Sequence, residues 1–240
     1  MKLLIIRHAD PDYERDTLTE KGWKEAKLLS DRLASMDIKA FYVSPLGRAR
    51  DTANVTLNRM NRTAEVLPWL REFSVYDEKL GRERICWDLL PQDWTTIKEY
   101  YDKDLWHTVP AMEEVNVILE AKKVFEGIDK LLERHGYVRE GNLYRAVRPN
   151  RDTIVLFCHF GVECVILGHL LGISPVVLWH GFCAQPTSVT TLVTEERRKG
   201  IAYFRTLAFG DISHLYAAGE TPSFSARFCE TYDSFDERHD

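Results

Sequence analysis

The chain has 240 residues, of which 45% are hydrophobic, and a formal net charge of -5 at pH 7. This length and composition predict a single domain over residues 1–240 with a full hydrophobic core. The acidic balance argues against a general nucleic-acid binder and against a protein that binds anionic membranes, because both need a basic surface.

The first predicted elements are a strand and a helix. Leu3–Ile6 is an unbroken apolar run, typical of a strand buried on both faces of a parallel sheet. From Glu20 to Met36, apolar residues recur every three or four positions, which predicts a helix with one buried stripe. The stripe consists of Trp23, Ala26, Leu29, Leu33 and Met36.

A second strand and helix follow. Ala40–Ser44 has the composition of a short strand, and PLGRARDTANVTL after it indicates a turn that enters a helix. Val66–Leu70 is predicted as a third extended piece, interrupted by Pro68. Residues 73–110 depart from this alternation and are interpreted as a helical insertion.

The next elements are a long helix and a hairpin. The helix has an apolar stripe and a glycine, Gly136, where a left-handed C-terminal cap is expected. Tyr137–Val147 has extended-type residues on both sides of a Glu-Gly-Asn turn, which predicts a β-hairpin. The helical stripe consists of Val115, Ile118, Ala121, Phe125, Ile128 and Leu132.

The last third of the chain repeats the opening pattern. Thr153–Cys158 is a second buried strand, and Val162–Leu171 an apolar helix that ends near Gly172. SVTTLV and IAYFRTLAF predict two late strands around a charged turn, and the acidic residues 224–240 are expected to fray or to pack on a neighbour. The whole order predicts a three-layer α/β/α fold with a mostly parallel sheet.

Basic side chains follow three of the predicted strands. Arg7 and His8 come after the first, Arg48 lies four residues beyond Ser44, and His159 follows Cys158. Ligands of open α/β sheets bind beyond the carboxyl ends of the strands, so these side chains are expected to converge. Cations gathered in a cleft repel each other unless they meet a multiply charged anion, which favours a phosphate site.

Each basic residue alone also has an ordinary structural explanation. Arg7 is typical of a surface ion pair, and Arg50 rather than Arg48 could point inward. His8 could be a core histidine, and His159 a helix cap or a metal ligand. A metal site of Cys158, His159, Glu163 and His169 is disfavoured because helical spacing spreads the last residues around the axis. A cysteine phosphatase is disfavoured because no arginine follows Cys158 at the required distance.

The segments LLIIRHA, SPLGRARDTA and VLFCHFG resemble the histidine phosphatase superfamily, the phosphoglycerate mutase-like group, over most of the chain. LTEKGWKEA resembles the first helix of that family, and VTTLV with GDISHL resembles its closing strands. Ala9 stands where the family motif most often has glycine, and Phe160 separates His159 from Gly161. Neither difference removes a charged group.

The resemblance implies roles for six residues. His8 would be the nucleophile, Glu72 the proton donor, and Arg7, Arg48, His159 and Phe160 would form the phosphate pocket with His8. Two arginines can supply the charge that a magnesium ion supplies elsewhere, so no metal or other cofactor is expected. The segment FSVYDEKLG differs from the family pattern after the acid, so Asp77 and Glu78 are alternative donors.

The expected function is hydrolysis of a small phosphorylated substrate through a phosphohistidine. The alternatives are phosphoryl transfer of the phosphoglycerate mutase type and a non-catalytic protein that binds a phosphorylated ligand. Residues 73–110 do not resemble the mutase insertion, which favours hydrolysis. Trp87, Trp94 and Trp106 could line a substrate lid, with Arg82 and Arg84 binding a second anionic group, or could simply pack the insertion onto the core.

The expected location is the cytoplasm. The five cysteines form an odd set without a C-x-x-C spacing, which argues against a disulfide framework and a zinc knuckle. The apolar run before Arg7 is too short for a signal peptide, and no stretch approaches the roughly 18 apolar residues of a membrane span. No membrane partner is therefore expected, and the sequence leaves the oligomeric state open.

Overall fold

The computed structural model describes residues 1–223 and Ser234. The strands are β1 (Lys2–Arg7), β2 (Pro11–Asp12), β3 (Thr17–Leu18), β4 (Ala40–Val43), β5 (Glu65–Val66), β6 (Val75–Asp77), β7 (Arg82–Arg84), β8 (Tyr137–Glu140), β9 (Leu143–Ala146), β10 (Thr153–Cys158), β11 (Val189–Arg198) and β12 (Ile201–Asp211). The expectation for residues 224–240 lies, apart from Ser234, outside the described residues.

The α-helices lie between these strands and after the last one. They are α1 (Glu20–Leu33), α2 (Gly47–Met60), α3 (Pro91–Trp94), α4 (Pro110–Glu113), α5 (Val117–Arg134), α6 (Phe160–Leu171), α7 (Pro175–Gly181) and α8 (Ser213–Ala217). Short 3-10 turns span Pro68–Leu70, Lys98–Tyr101 and Trp106–Thr108. Among residues 1–223 and Ser234, no helix is long and apolar enough to cross a membrane.

One large sheet forms the centre of the fold. Its strand order is β5-β4-β10-β1-β11-β12-β9-β8. The first four of these are parallel neighbours, whereas β11 is antiparallel to β1 and begins an antiparallel half. Strands β12 and β8 run in the direction of the parallel block, so the predicted mostly parallel sheet is confirmed, with a mixed edge formed by the two late strands and the hairpin β8–β9.

Alternating side chains of the central strands build two cores. On one face, Leu3 and Ile5 of β1 pack with residues of α5 and α6. On the other face, Leu4 and Ile6 pack with residues of α1 and α2. Because successive strand residues point to opposite faces, an unbroken apolar strand needs helices on both sides. This is the predicted three-layer arrangement.

The buried stripe of α1 differs from the prediction at both ends. Trp23 is 44% exposed, and the helix ends at Leu33, before Met36. Gly22 is buried instead, because a Cβ at this position would lie only 2.2 Å from the carbonyl oxygen of Asp10. The first turn of the helix therefore presents its smallest residue to the loop after β1, and the neighbouring tryptophan faces outward.

The predicted extended piece Val66–Leu70 is wrong in its second half. Strand β5 ends at Val66, and Pro68 begins a 3-10 turn. Proline has no amide hydrogen to donate to a neighbouring strand and has a φ suited to the start of a helical turn. At the other end of the insertion, α5 begins at Val117, so Val115 precedes the helix. The predicted left-handed cap is confirmed, since Gly136 has φ +94°.

The insertion contains the short helical turns that the sequence predicts and also a hairpin of β6 and β7. Trp106 is only 1% exposed and meets the ring of Trp179 edge-on, with centroids 5.7 Å apart. For this tryptophan, the packing interpretation holds. Arg84 forms an ion pair with Asp77 inside the hairpin.

Gly127 of α5 determines how closely the Pro68–Leu70 turn packs, because a Cβ there would lie 2.4 Å from the indole of Trp69. We expect Gly127→Ala to be less stable than Gly181→Ala by about 1–3 kcal/mol, since the ring must move. Gly181, at the end of α7, is the matched control, because a methyl group there would meet no atom of the described chain within 4 Å. Urea denaturation measures the difference, and equal stabilities would contradict the tight Trp69 contact.

Candidate active site

Strands β1 and β10 bring two histidines together. They pair in parallel with Arg7 opposite Cys158, so His8 and His159 follow at neighbouring strand ends. The backbone amide of His8 donates to the carbonyl of Cys158 over 3.0 Å. The two imidazole centroids are 5.1 Å apart. The predicted convergence of these two strand ends is therefore present.

His8 is held as a neutral imidazole with one nitrogen free. It is 1% exposed, and its Nδ1 lies 2.8 Å from the carbonyl oxygen of Ala9. Because a carbonyl oxygen only accepts, Nδ1 carries the hydrogen and Nε2 has the lone pair. Burial, together with the charges of Arg7 and Arg48, holds the pKa of His8 well below its usual value. The ring therefore presents an unprotonated Nε2.

In His159, the nitrogen that has a partner is Nε2 instead of Nδ1. Its Nε2 lies 2.7 Å from Ser44 Oγ, which also accepts a hydrogen bond from the amide of Leu46. Since Ser44 Oγ already accepts from Leu46, its own hydroxyl hydrogen is available to donate to His159 Nε2. A neutral His159 then has its hydrogen on Nδ1. This Nδ1 is buried without a partner among the described residues. Burial lowers the pKa of His159 well below its usual value, and the nearby charges of Arg48 and Arg7 act in the same direction.

Arg7 ends β1 between a carbonyl and an aromatic ring. Its Nη1 donates to the carbonyl of Ala184, and its guanidinium carbon lies 5.9 Å from the centroid of the Phe160 ring. It is 3% exposed, and its Nε has no partner among the described residues. Phe160 is also the first residue of α6, whose first amides have no acceptor within the helix and suit an anion.

Arg48 lies in the first turn of α2 and is oriented by the loop between β2 and β3. It donates to Asp16 Oδ1 over 2.6 Å, and its guanidinium carbon lies 5.3 Å from the centroid of the Tyr13 ring. Asp16 Oδ2 also accepts from the amide of Gly47 over 2.7 Å. The Nε of Arg48 is buried without a partner in the described chain, whereas Arg50 is exposed. Arg48 is thus the inward arginine.

Glu72 lies beside the first turn of α6, the helix that follows His159. Its Oε1 accepts from the amides of Phe73 and Val162 over 2.8 and 3.2 Å. Burial raises its pKa, against the lowering effect of those amides and of Arg7 and Arg48. A Cβ on Gly161 would lie 2.7 Å from Oε1 and 2.3 Å from the ring of Trp87, so glycine is needed at this crossing.

The alternative acids lie in the turn of the hairpin. Asp77 Oδ1 accepts from the amides of Lys79 and Leu80, and Asp77 also pairs with Arg84. Glu78 is exposed and lines a cavity with Asp77 and Glu114 that does not include His8. The described hydrogen bonds therefore place Glu72, and neither alternative, against the turn of α6 that follows His159.

Glu163 is a buried acid for which the sequence suggested only a metal role. It is 1% exposed, and burial raises its pKa to about 8. Thr190 and Arg7 lie near enough to lower that pKa in part. Within residues 1–223 and Ser234, no group of three or more histidine, cysteine or acidic side chains could hold a metal ion. His169 instead pairs with Asp129 over 2.9 Å.

The loop after His8 is tied to distant parts of the chain. The amide of Ala9 donates to Thr52 Oγ1 over 2.9 Å, and the amide of Asp10 donates to Glu25 Oε2 over 3.0 Å. Ser223 reaches both acids, since its hydroxyl donates to Asp10 and its amide to Glu25. The backbone that accepts the His8 hydrogen is therefore fixed from several directions.

Three buried donors define what this site can bind. They are Arg7 Nε, Arg48 Nε and His159 Nδ1, each without a partner in the described chain. No ion pair among the described residues involves Arg7, so the cluster keeps positive charge. Buried donors normally have partners, and a tetrahedral oxyanion supplies several acceptors at once. The arrangement suits a phosphoryl group placed against His8 Nε2.

Sequence reasoning assigned no role to Tyr13, Asp16 or Glu163 as parts of this site. Ser44 was recognised only as part of a motif and as the end of a strand. A serine at a strand end beside the predicted histidine could have indicated its partner. Tyr13 and Asp16 reach Arg48 from a turn in which Asp16 has φ 50°, and no periodic pattern marks such a turn.

Comparison with known proteins gives a family match over most of the chain. The model of the histidine phosphatase superfamily (branch 1) matches residues 3–206. The Escherichia coli adenosylcobalamin/alpha-ribazole phosphatase is 23% identical over 189 residues, which cover 75% of this chain and 84% of that protein. A probable phosphatase of Schizosaccharomyces pombe is 26% identical over 242 residues, covering 90% and 95% of the two chains.

A third relative is a mutase. A Thermoplasma acidophilum 2,3-bisphosphoglycerate-dependent phosphoglycerate mutase is 35% identical over 69 residues, which span 25% of this chain and 34% of the mutase. Among solved structures, phosphoserine phosphatase from Entamoeba histolytica has a TM-score of 0.59 at 18% identity, covering 89% and 98% of the chains. Mycobacterial glucosyl-3-phosphoglycerate phosphatase has a TM-score of 0.58 at 17% identity, covering 87% and 98%. These two structures share the fold.

Both site histidines should remain neutral as the pH falls through 6.5 in the ligand-free protein. Their lowered pKa values mean that protonation begins only at lower pH, because charging them costs desolvation beside two arginines. Histidine-selective ¹⁵N NMR between pH 5.5 and 8 checks this, with His8→Ala and His159→Ala assigning the signals. Titration of either ring near 6.5 would contradict the buried, neutral pair.

Proposed function

Since the chain belongs to the histidine phosphatase superfamily, we propose that it is a phosphatase that hydrolyses a small phosphomonoester through a phosphohistidine at His8. One observation carries the proposal. The imidazole of His8 lies 5.1 Å from that of His159, centroid to centroid, and buried donors of His159, Arg7 and Arg48 have no partner in the described chain. Such donors suit the equatorial oxygens of a phosphoryl group during in-line attack.

In the first step, His8 Nε2 attacks phosphorus while the ester oxygen leaves. The N–P bond forms, the P–O bond breaks, and the ring becomes positively charged. The carbonyl of Ala9, which accepts from Nδ1, stabilises that charge. Arg7, Arg48 and His159 bind the phosphoryl oxygens, so the chain's own side chains supply positive charge and no metal is needed in this proposal.

Glu72 carries the proton in both steps. Its raised pKa favours the protonated carboxyl, which donates to the leaving oxygen and becomes a carboxylate. In the second step, this carboxylate takes a proton from water as the water oxygen attacks phosphorus and the N–P bond breaks. Phosphate leaves, His8 is neutral again, and Glu72 is reprotonated. Both described hydrogen bonds of Glu72 end on Oε1, which leaves Oε2 for these transfers.

The relatives named as phosphatases favour a phosphomonoester as the substrate class, and their different names leave the leaving group open. A mutase would return the phosphoryl group to the organic product instead of to water. The match to the mutase covers only a small part of the chain, whereas those to the curated phosphatases extend over most of it. Release of inorganic phosphate distinguishes the two reactions.

A covalent intermediate on His8 is the first test. The protein is incubated briefly with a ³²P-labelled phosphomonoester and then quenched in base. Acid is avoided because phosphohistidine is stable in base and is hydrolysed in acid. We expect label on the wild-type protein and none on His8→Ala, with turnover unchanged by a chelator. His107→Ala is a control in the insertion. Full turnover by His8→Ala would refute the mechanism, and binding without label would indicate a non-catalytic protein.

The role of Glu72 is tested by changing the leaving group. An alkyl phosphate leaves as a strongly basic alkoxide and needs a proton, whereas p-nitrophenolate leaves without one. We expect Glu72→Gln to slow phosphorylation by the alkyl ester about 10²- to 10⁴-fold and to affect the nitrophenyl ester much less. Single-turnover kinetics separates this step from dephosphorylation, in which the same carboxylate activates water.

Glu78→Gln is the matched control, because Glu78 is an exposed acid in the hairpin turn. It should leave both substrates unaffected. Equal small losses for the two esters in Glu72→Gln would remove Glu72 as the donor, and a selective loss in Glu78→Gln would move that role to Glu78.

A further inference from the structure

Tyr13 is an exposed aromatic residue whose ring lies against His8 and Arg48, the proposed nucleophile and one of the proposed phosphate-binding arginines. The residue is 62% exposed. It meets the imidazole of His8 edge-on, with centroids 6.5 Å apart and planes at 83°. The guanidinium of Arg48 lies over the ring at 5.3 Å from the centroid. Tyr13 therefore lies at the mouth of the phosphate site, with much of its ring open to solvent.

The turn that carries Tyr13 is held by hydrogen bonds within itself and to α2. Asp12 Oδ1 accepts from the amides of Glu14 and Arg15, each over 3.1 Å. Thr17 donates to Asp51 over 2.5 Å, and Asp16 links the same turn to Arg48. The backbone before and after Tyr13 is thus held by hydrogen bonds within the turn and by hydrogen bonds to α2. A fixed aromatic surface costs little conformational entropy when a ligand packs against it.

In a bound substrate, the leaving group is the part that could cover the exposed ring of Tyr13. The phosphoryl oxygens face Arg7, Arg48 and His159, and the leaving group points away from His8 Nε2 during in-line attack. The ring also packs on Arg48, which binds the phosphoryl oxygens in the proposed reaction, so a leaving group larger than a few atoms would have this ring within reach. No described hydrogen bond uses the Tyr13 hydroxyl, so the ring surface rather than the hydroxyl is offered.

We propose that Tyr13 is a specificity-determining residue that forms one wall of the leaving-group site and favours phosphomonoesters with an aromatic or apolar group near the ester oxygen. This inference rests on the proposed phosphatase function. The aromatic face would contact such a group directly, whereas a small or strongly hydrated alcohol would gain little from it.

The test compares two esters that differ in this group and little in leaving-group chemistry, 2-phenylethyl phosphate and ethyl phosphate. The readout is the ratio of their kcat/KM values, because damage to Arg48 or His8 lowers both and cancels. We expect a ratio above one in the wild type, a decrease of roughly three- to tenfold in Tyr13→Ala, and a ratio within about twofold of wild type in Tyr13→Phe. Tyr216→Ala, which removes a tyrosine of similar exposure from α8, is the matched control and should keep the ratio.

Inhibition by vanadate, which has no leaving group, is measured for every variant. An unchanged ratio in Tyr13→Ala, with vanadate still inhibiting, would overturn the inference and leave the phosphatase function in place. A loss in Tyr13→Phe equal to that in Tyr13→Ala would also overturn it, because the hydroxyl would then be the contact. A wild-type protein that neither hydrolyses the esters nor responds to vanadate would refute the proposed function, and the inference with it.

Discussion

The parallel register of β1 and β10 is the constraint on which the rest of the site depends. Arg7 lies opposite Cys158, so the next residue of each strand, His8 and His159, leaves the sheet at the same level. A slip of one residue would reverse the faces of the side chains that follow, because strand side chains alternate. Leu3 and Leu4 pack in different cores, so both faces of β1 are held by packing in the observed register. Two hydrophobic cores thereby align two polar residues that belong to neither.

Burial has opposite consequences for the bases and the acids of the site. It lowers the pKa of His8 and His159, and it raises the pKa of Glu72 and Glu163, because in each case the neutral form is easier to desolvate. The arginines stay charged. In the proposed reaction, the same environment favours an unprotonated His8 and a protonated Glu72 beside permanent positive charge. Buried donors normally have partners, and in the proposed reaction the phosphoryl oxygens bind the donors that have none in the described chain.

Those features that depend on local pattern were predictable from the sequence. The apolar runs at β1 and β10 located the two strand ends, and the structure brings Arg7, His8, Arg48 and His159 together there, while their catalytic roles stay predictions. Trp23 was placed wrongly because the pattern could not show that Gly22 is needed against the Asp10 carbonyl. The end of β5 was extended too far because Pro68 can interrupt a strand or start a turn. Tyr13 and Asp16 escaped notice because their contacts with Arg48 join a turn to a helix that begins 31 residues after it.

The attachment of Ser223 to the loop after His8 makes the predicted site depend on segments that lie far apart in the sequence. Ser223 binds Asp10 and Glu25, which precede it by 213 and 198 residues. Arg7 likewise binds the carbonyl of Ala184, and β1 pairs with β10 on one side and with β11 on the other. The RHA motif alone therefore does not position His8, because its neighbours are held by residues from distant parts of the sequence. Contacts of such long sequence separation slow folding, so the loop after His8 is expected to become ordered late.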